Sequence, residues 1–193
     1  MGKSLLLSFI LSSAIFLVFS PIFYQVTFYL HPIALAVVFF CLFFLISFFI
    51  LLFQKKSVKI PFPLFMCILI VYTGALLVLL FFRPSSTSYI SLNFTPFNTI
   101  EFFLSGRVNW FISFYNLTAN VGLFIPYGIY FRIRKSSFLN LLLYSTVTII
   151  SIEILQFATR RGSMDIDDLI LNVSGVTLGY LFYPLFRKVF NIR

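Results

Sequence analysis

Residues 32–54 have the sequence PIALAVVFFCLFFLISFFILLFQ, which contains no charged side chain. The run is longer than the roughly 20 apolar residues that a helix needs to cross a bilayer. Similar runs, separated by charged or turn-forming segments, predict spanning helices at 5–23, 32–54, 60–82, 111–131, 137–158 and 169–186. The sequence therefore predicts an all-α fold, a polytopic transmembrane bundle of about six spans.

The composition excludes a soluble domain. The 193 residues are 61% hydrophobic and only 10% charged, with a mean hydropathy of +1.05, whereas soluble domains have about 25% charged residues. The net charge of +9 comes from 14 Lys and Arg against 5 Asp and Glu. Because the basic clusters lie beside apolar spans, they indicate topology rather than a nucleic-acid surface. We expect membrane lipids as partners and no nucleic acid.

The basic residues also predict orientation, since Lys and Arg in short loops are retained in the cytoplasm. With six spans and the amino terminus inside, only Arg83, Arg107, Arg160 and Arg161 of the 14 fall outside. We therefore expect a multi-pass cell-membrane protein with both termini cytoplasmic. The same topology puts all five acidic residues on or toward the external side: Glu101, Glu153, Asp165, Asp167 and Asp168.

The external segment 84–110 is too apolar for a simple solvated loop. Thr95 is a suitable helix cap, Pro96 fits the first turn of a helix, and Gly106 can end one. Because Asn93, Asn98 and Glu101 interrupt the apolar run, a short interfacial or re-entrant helix fits better than a seventh span.

Polar residues follow one stripe of the predicted fifth helix. Glu153, Gln156 and Arg160 are spaced i, i+3 and i+7, which places them on one helix face. A carboxylate inside a bilayer normally faces protein or water and finds a partner, so we expect Arg160 or Arg161 to pair with Glu153. The pattern fits a ligand site, or alternatively an internal clamp between helices.

A second stripe begins the predicted sixth helix, at Asp165, Asp168, Asn172, Gly175 and Gly179. Its carboxylates suit the positive end of the helix dipole, and its glycines permit a close helix neighbour. Capping and arginine pairing account for the acids better than Mg²⁺ or Ca²⁺, so we expect no metal and no cofactor. The predicted fourth helix adds Asn116 and Asn120 near its outer end, followed by Pro126 and Gly128, which predict a kink. His31 lies apart in a turn.

Several ordered motifs carry a family resemblance. They are NLTANVGLFIPYG at 116–128, EILQ at 153–156, RGSMDIDDLILN at 161–172 with Gly175 and Gly179, and upstream NFTPF at 93–97 after Arg83. Together they resemble the VanZ-like family over about 83–183. The resemblance implies a bacterial cell-envelope membrane protein, with founding members linked to teicoplanin-type glycopeptide antibiotic resistance. We accordingly predict an apolar three-helix region at 1–82 and a VanZ-like core at 83–193.

The leading hypothesis is an outward-facing polar pocket that binds an envelope amphiphile, either a glycopeptide or a lipid-linked precursor. A membrane enzyme acting on a phosphorylated or acylated lipid is the alternative, although His31 is the only histidine and no Ser-His or Cys-His pair is available. A small transporter is the third hypothesis. The candidate binding residues are Arg83, Asn93, Asn116, Asn120, Glu153, Gln156, Arg160, Arg161, Asp165, Asp168 and Asn172.

Overall fold

A computed structural model of the chain describes residues 2–27, 33–81, 92–162 and 164–193, so His31 and Arg83 lie outside the described residues. α-Helices make up most of the described chain, and the strands have only two or three residues, which confirms the predicted all-α fold. The elements in chain order are α1 (Gly2–Thr27), α2 (Ile33–Phe53), β1 (Val58–Ile60), α3 (Phe62–Phe81), β2 (Leu92–Asn93), α4 (Asn98–Leu104), α5 (Trp110–Gly122), α6 (Ile125–Ile133), α7 (Phe138–Ala158), β3 (Met164–Asp165), α8 (Ile166–Val189) and β4 (Phe190–Ile192).

Four helices of the described chain are long and apolar enough to cross a membrane: α1 over Gly2–Pro21, α3, α7 and α8. The shorter apolar segment Phe39–Phe53 belongs to α2. Many of their large apolar side chains are exposed, which suits contact with lipid; Leu17 is 70% and Val71 is 73% exposed. α1 contains Pro21 and continues to Thr27, four residues beyond the end predicted for the first span.

The fourth predicted span, 111–131, is wrong as a single helix because the chain breaks into α5 and α6. Pro126 has no N–H to donate, and the Tyr127 N–H bonds to the Phe124 carbonyl at 3.2 Å. The Leu123 carbonyl instead accepts the Tyr72 hydroxyl at 2.8 Å. The predicted kink is thus a complete helix break, stabilised by a side chain from α3.

The chain forms two compact units, one of residues 1–65 with 185–193 and one of residues 66–184. The predicted division into 1–82 and 83–193 stays a prediction. In the first unit α1 packs on α2, and the Ser4 hydroxyl donates to Gln54 Oε1 at 2.7 Å. Lys56 Nζ also donates to Gln54 Oε1, at 2.8 Å. In the same unit β1 pairs in parallel with β4.

The second unit has its own apolar core and contains the candidate site. Core residues come from several of its helices: Leu76, Phe124, Leu141, Ile149, Val176 and Tyr180. Close helix contacts depend on glycine. A Cβ on Gly175 would lie 2.1 Å from the Val121 carbonyl oxygen, and one on Gly179 would lie 2.0 Å from that of Ile125. This confirms the close approach predicted for the glycine stripe.

Candidate functional site

The candidate site begins where two short strands bring Asn93 beside Asp165. β2 and β3 pair in parallel, with Asn93 opposite Asp165. The Asn93 amide donates to Asp165 Oδ1 at 3.2 Å, and the Thr99 hydroxyl donates to Asp165 Oδ2 at 2.6 Å. Asp165 Oδ1 also accepts the Asp167 backbone N–H at 2.9 Å, as a helix cap does. Asp165 therefore ties the segment before α4 to the start of α8.

Asp167 caps α4 from a distant part of the chain. Its side chain is fully buried, and its Oδ1 accepts the Phe97 N–H at 2.6 Å. Its Oδ2 accepts the N–H groups of Thr99 and Ile100 at 2.7 and 3.1 Å. A carboxylate at this position bonds otherwise unpaired donors and faces the positive end of the helix dipole.

The predicted cap, Thr95, is therefore wrong. The N-cap position of α4 belongs to Phe97, which has φ 68° and no polar side chain to cap the helix. Gly106 does follow the end of this helix in a left-handed conformation, as expected. Asp167 was absent from the candidate residues, and the sequence signal for it was indirect: three nearby aspartates exceed what one helix cap requires.

α5 contributes an amide to the next carboxylate. The Asn120 side chain donates to Asp168 Oδ1 at 2.5 Å, which joins α5 to the first turn of α8. One turn earlier, the Asn116 amide donates to the Ile112 carbonyl of its own helix at 2.9 Å. Asn120, one of the two predicted asparagines, therefore bonds directly to an acidic residue.

Glu153 on α7 is buried beside the same carboxylates. Its side chain is only 6% exposed, and its Oε2 has no hydrogen-bond partner among the described residues. Its electrostatic neighbours include the carboxyl groups of Asp168 and Asp165, and it interacts with the Asp165 backbone N–H. Pairing of Glu153 with Arg160 or Arg161 stays a prediction.

The polar stripe of α7 is shorter than expected. The helix ends at Ala158, and the Arg160 and Arg161 N–H groups bond back to the Phe157 and Gln156 carbonyls at 3.1 and 2.8 Å. These two hydrogen bonds form a Schellman motif at the end of the helix, with Arg160 in the left-handed region at φ 56°. Arg160 therefore lies beyond the helix and leaves the stripe, and both arginine side chains are exposed.

Gln156 and Asn172 have different environments. The Gln156 amide donates to the Leu80 carbonyl of α3 at 3.0 Å, which suits the clamp alternative for this residue. Asn172, one turn after Asp168 on α8, is 6% exposed, and its Oδ1 has no partner among the described residues. Asn172 is thus a second buried polar group in this unit with an unbonded oxygen.

Glu153 interacts with Asp165 and Asp168, and Asp165 bonds to the backbone N–H of Asp167; we call these four residues the acidic cluster. In the described part of the chain, no three His, Cys, Asp or Glu side chains form a group that could hold a metal ion. Closely spaced carboxylates create a negative field that attracts amines and other hydrogen-bond donors. An unbonded carboxylate oxygen is the atom best able to accept such a donor.

Comparisons with known proteins cover this region. The VanZ/LLP1 family model matches residues 65–187, which include every candidate residue. Protein VanZ of Enterococcus faecium is 32% identical over 103 residues, or 52% of this chain. The match spans 57% of the length of that relative. No solved structure matches the chain.

Proposed function

The chain belongs to the VanZ/LLP1 family, and we propose that it is a bacterial cell-envelope protein whose acidic cluster binds the polar part of an envelope amphiphile. The amphiphile is a glycopeptide or a lipid-linked wall precursor. Its capture lowers sensitivity to teicoplanin-type glycopeptide antibiotics. The cluster opens to the extracytoplasmic side, in the topology that the basic residues favour.

The observation that carries the proposal is the unbonded Oε2 of buried Glu153. A buried acceptor without a donor costs about 1–3 kcal/mol, so native proteins rarely retain one without a use. A ligand N–H or O–H would satisfy this oxygen. The carboxyl groups of Asp165 and Asp168 beside it reinforce the attraction for a donor.

The sign of the charges favours particular head groups. Amines and sugar hydroxyls match the acidic cluster, whereas a phosphate close to Glu153 would be repelled by it. Arg160 and Arg161 are exposed beyond the end of α7 and supply positive charge for a carboxylate or phosphate elsewhere on the same ligand. The site therefore suits a ligand with separate donor-rich and anionic parts.

Binding of a teicoplanin-type glycopeptide to the full chain in nanodiscs tests the proposal. Glu153→Gln removes the charge at nearly constant size, and we expect affinity to fall about 10-fold to 100-fold, the range for one hydrogen bond to a charged group. Glu101→Gln is the matched control, because Glu101 is an exposed acid on α4 outside the acidic cluster. It should bind as the parent does.

Expression in a susceptible bacterium supplies the biological measurement. The parent chain and Glu101→Gln should raise the inhibitory concentration of teicoplanin, and Glu153→Gln should not. Equal binding and equal protection by Glu153→Gln would refute the proposal. A different outcome would favour the membrane-enzyme alternative: the parent chain converts the ligand to a modified product seen by mass spectrometry, and Glu153→Gln binds the ligand normally but forms no such product.

A further inference from the structure

A separate cavity lies between α4 and the start of α5, with a volume of about 270 Å³. Most of the residues that line it are apolar or aromatic. Two of the lining residues, Trp110 and Phe114, stack with ring centroids 5.4 Å apart and planes 14° from parallel. The other apolar residues that line it are Phe103, Leu104, Val108 and Leu117.

One hydroxyl lines this apolar cavity without a partner. Ser113 is 3% exposed, and its Oγ has no hydrogen-bond partner among the described residues. Two other helical serines of the same compact unit bond back to their own helix: Ser145 donates to the Leu141 carbonyl and Ser174 to that of Ile170, both at 2.7 Å. Ser113 has the same local option and does not use it. Its hydroxyl is therefore available to a molecule in the cavity.

We propose that this cavity binds the acyl chain of the envelope amphiphile, with the Ser113 hydroxyl donating to the carbonyl oxygen of the acyl linkage. The inference rests on the proposed function and adds a second, apolar subsite to it. A volume near the lower end of ligand cavities suits one flexible chain rather than a folded peptide. The aromatic walls suit methylene groups.

α4 connects the two subsites. Asp167 holds the first turn of this helix, while Phe103 and Leu104 near its other end line the cavity. Seven residues at 1.5 Å per residue place the two ends about 10 Å apart. One amphiphile therefore spans both subsites, with its polar part at the acidic cluster and its chain beside Ser113.

Photo-crosslinking tests the inference with the full chain in nanodiscs. The probe is a teicoplanin-type glycopeptide that carries a diazirine in its acyl chain. We expect its cross-links to fall within residues 103–117, rather than on other exposed apolar faces such as that of Leu139 on α7. Ser113→Ala should weaken labelling about threefold to tenfold, which corresponds to the loss of one neutral hydrogen bond.

Ser113→Phe fills the cavity and should abolish labelling of 103–117. Ser151→Phe is the matched control, because Ser151 is exposed on α7 and its hydroxyl bonds to the Val147 carbonyl. Labelling spread evenly over exposed apolar faces, or unchanged in both Ser113 variants, would overturn the inference. Competition by the deacylated glycopeptide core should be weak, and full competition by that core would also count against an acyl subsite.

A second probe separates failure of this inference from failure of the proposed function. A palmitic acid analogue with a mid-chain diazirine carries no glycopeptide head group. If the glycopeptide does not bind but this analogue labels 103–117 and Ser113→Phe blocks it, the proposed function fails and the acyl-chain site stands. If the glycopeptide binds through Glu153 while its chain labels other residues, the acyl subsite fails and the proposed function stands.

Discussion

Two kinds of carboxylate lie side by side in the same compact unit. Both oxygens of Asp165 and both of Asp167 accept hydrogen bonds, and most of their donors are backbone N–H groups or side chains of the segment that includes α4. Glu153 is almost as deeply buried as Asp167, yet its Oε2 has no partner among the described residues. Carboxylates with both oxygens hydrogen-bonded in this way organise the backbone, whereas a carboxylate with an unbonded oxygen is available for a ligand.

The strongest test of this difference is Asp167→Ala. The substitution leaves the Phe97, Thr99 and Ile100 N–H groups without their acceptor, so we expect unfolding free energy to fall by about 3–5 kcal/mol, the sum for several unsatisfied buried donors. The thermal midpoint in detergent should drop by roughly 10 °C or more. Glu101→Ala is the control on α4, the helix that Asp167 caps, and its exposed side chain should matter little.

A loss as small as that of Glu101→Ala would show that Asp167 does not organise α4. The same experiment distinguishes the two kinds of carboxylate, because Glu153→Gln should leave the midpoint nearly unchanged. Asp167 and Glu153 are both buried acids, so burial alone would not explain different results.

A second, smaller effect concerns the helix contact that keeps Asn120 within reach of Asp168. Gly175→Ala would place a Cβ 2.1 Å from the Val121 carbonyl oxygen, so α8 must move away from α5. We expect a cost of about 1–3 kcal/mol, as for other overpacked sites. Gly74→Ala is the matched control, since nothing lies within 4 Å of the added Cβ there. Equal midpoints for the two variants would contradict the close contact.

The sequence predicted helices best where charges or turn residues bound an apolar run. The span 137–158 agrees closely with α7, Phe138–Ala158, because basic residues flank it on both sides. Pro126 predicted a kink near the break between α5 and α6, but not a complete break, which the Tyr72 hydroxyl stabilises by bonding to the Leu123 carbonyl from α3. Local patterns contain no information about that partner.

In the candidate site too, local sequence patterns predicted some features and could not predict those that depend on contacts across the fold. Helical periodicity placed Asp168 and Asn172 on one face, and both lie buried or half-buried there. It could not identify Asp167, whose partners Phe97 and Thr99 lie about 70 residues earlier in the chain. The periodicity also placed Arg160 on the polar face of α7, although the helix ends at Ala158. The sequence gives no sign of this end, because the left-handed residue that follows the helix is Arg160 and not a glycine. Helical spacing therefore could not predict contacts between residues that are far apart in the sequence, such as those of Asp167.

A comparison of two asparagines includes the smallest expected effect, that of Asn172→Leu. Asn120 donates to Asp168, whereas Asn172 Oδ1 is buried without a partner among the described residues. Asn120→Leu should destabilise the protein by about 1.5–3 kcal/mol, since it removes a hydrogen bond to a charged group. Asn172→Leu replaces an amide whose Oδ1 has no partner among the described residues with an apolar group of similar size, so we expect a change near zero or a gain of up to about 1 kcal/mol.

Stability and binding should then move in opposite directions for Asn172→Leu. If Asn172 is retained for a ligand, the variant melts at the same or a higher temperature and binds the glycopeptide more weakly, as expected for a site that trades stability for function. Chemical denaturation in detergent and the nanodisc binding measurement give the two values on one preparation. A marked loss of stability would instead show that Asn172 stabilises the fold, as Asp165 and Asp167 do. The ligand site would then depend on Glu153 and not on Asn172.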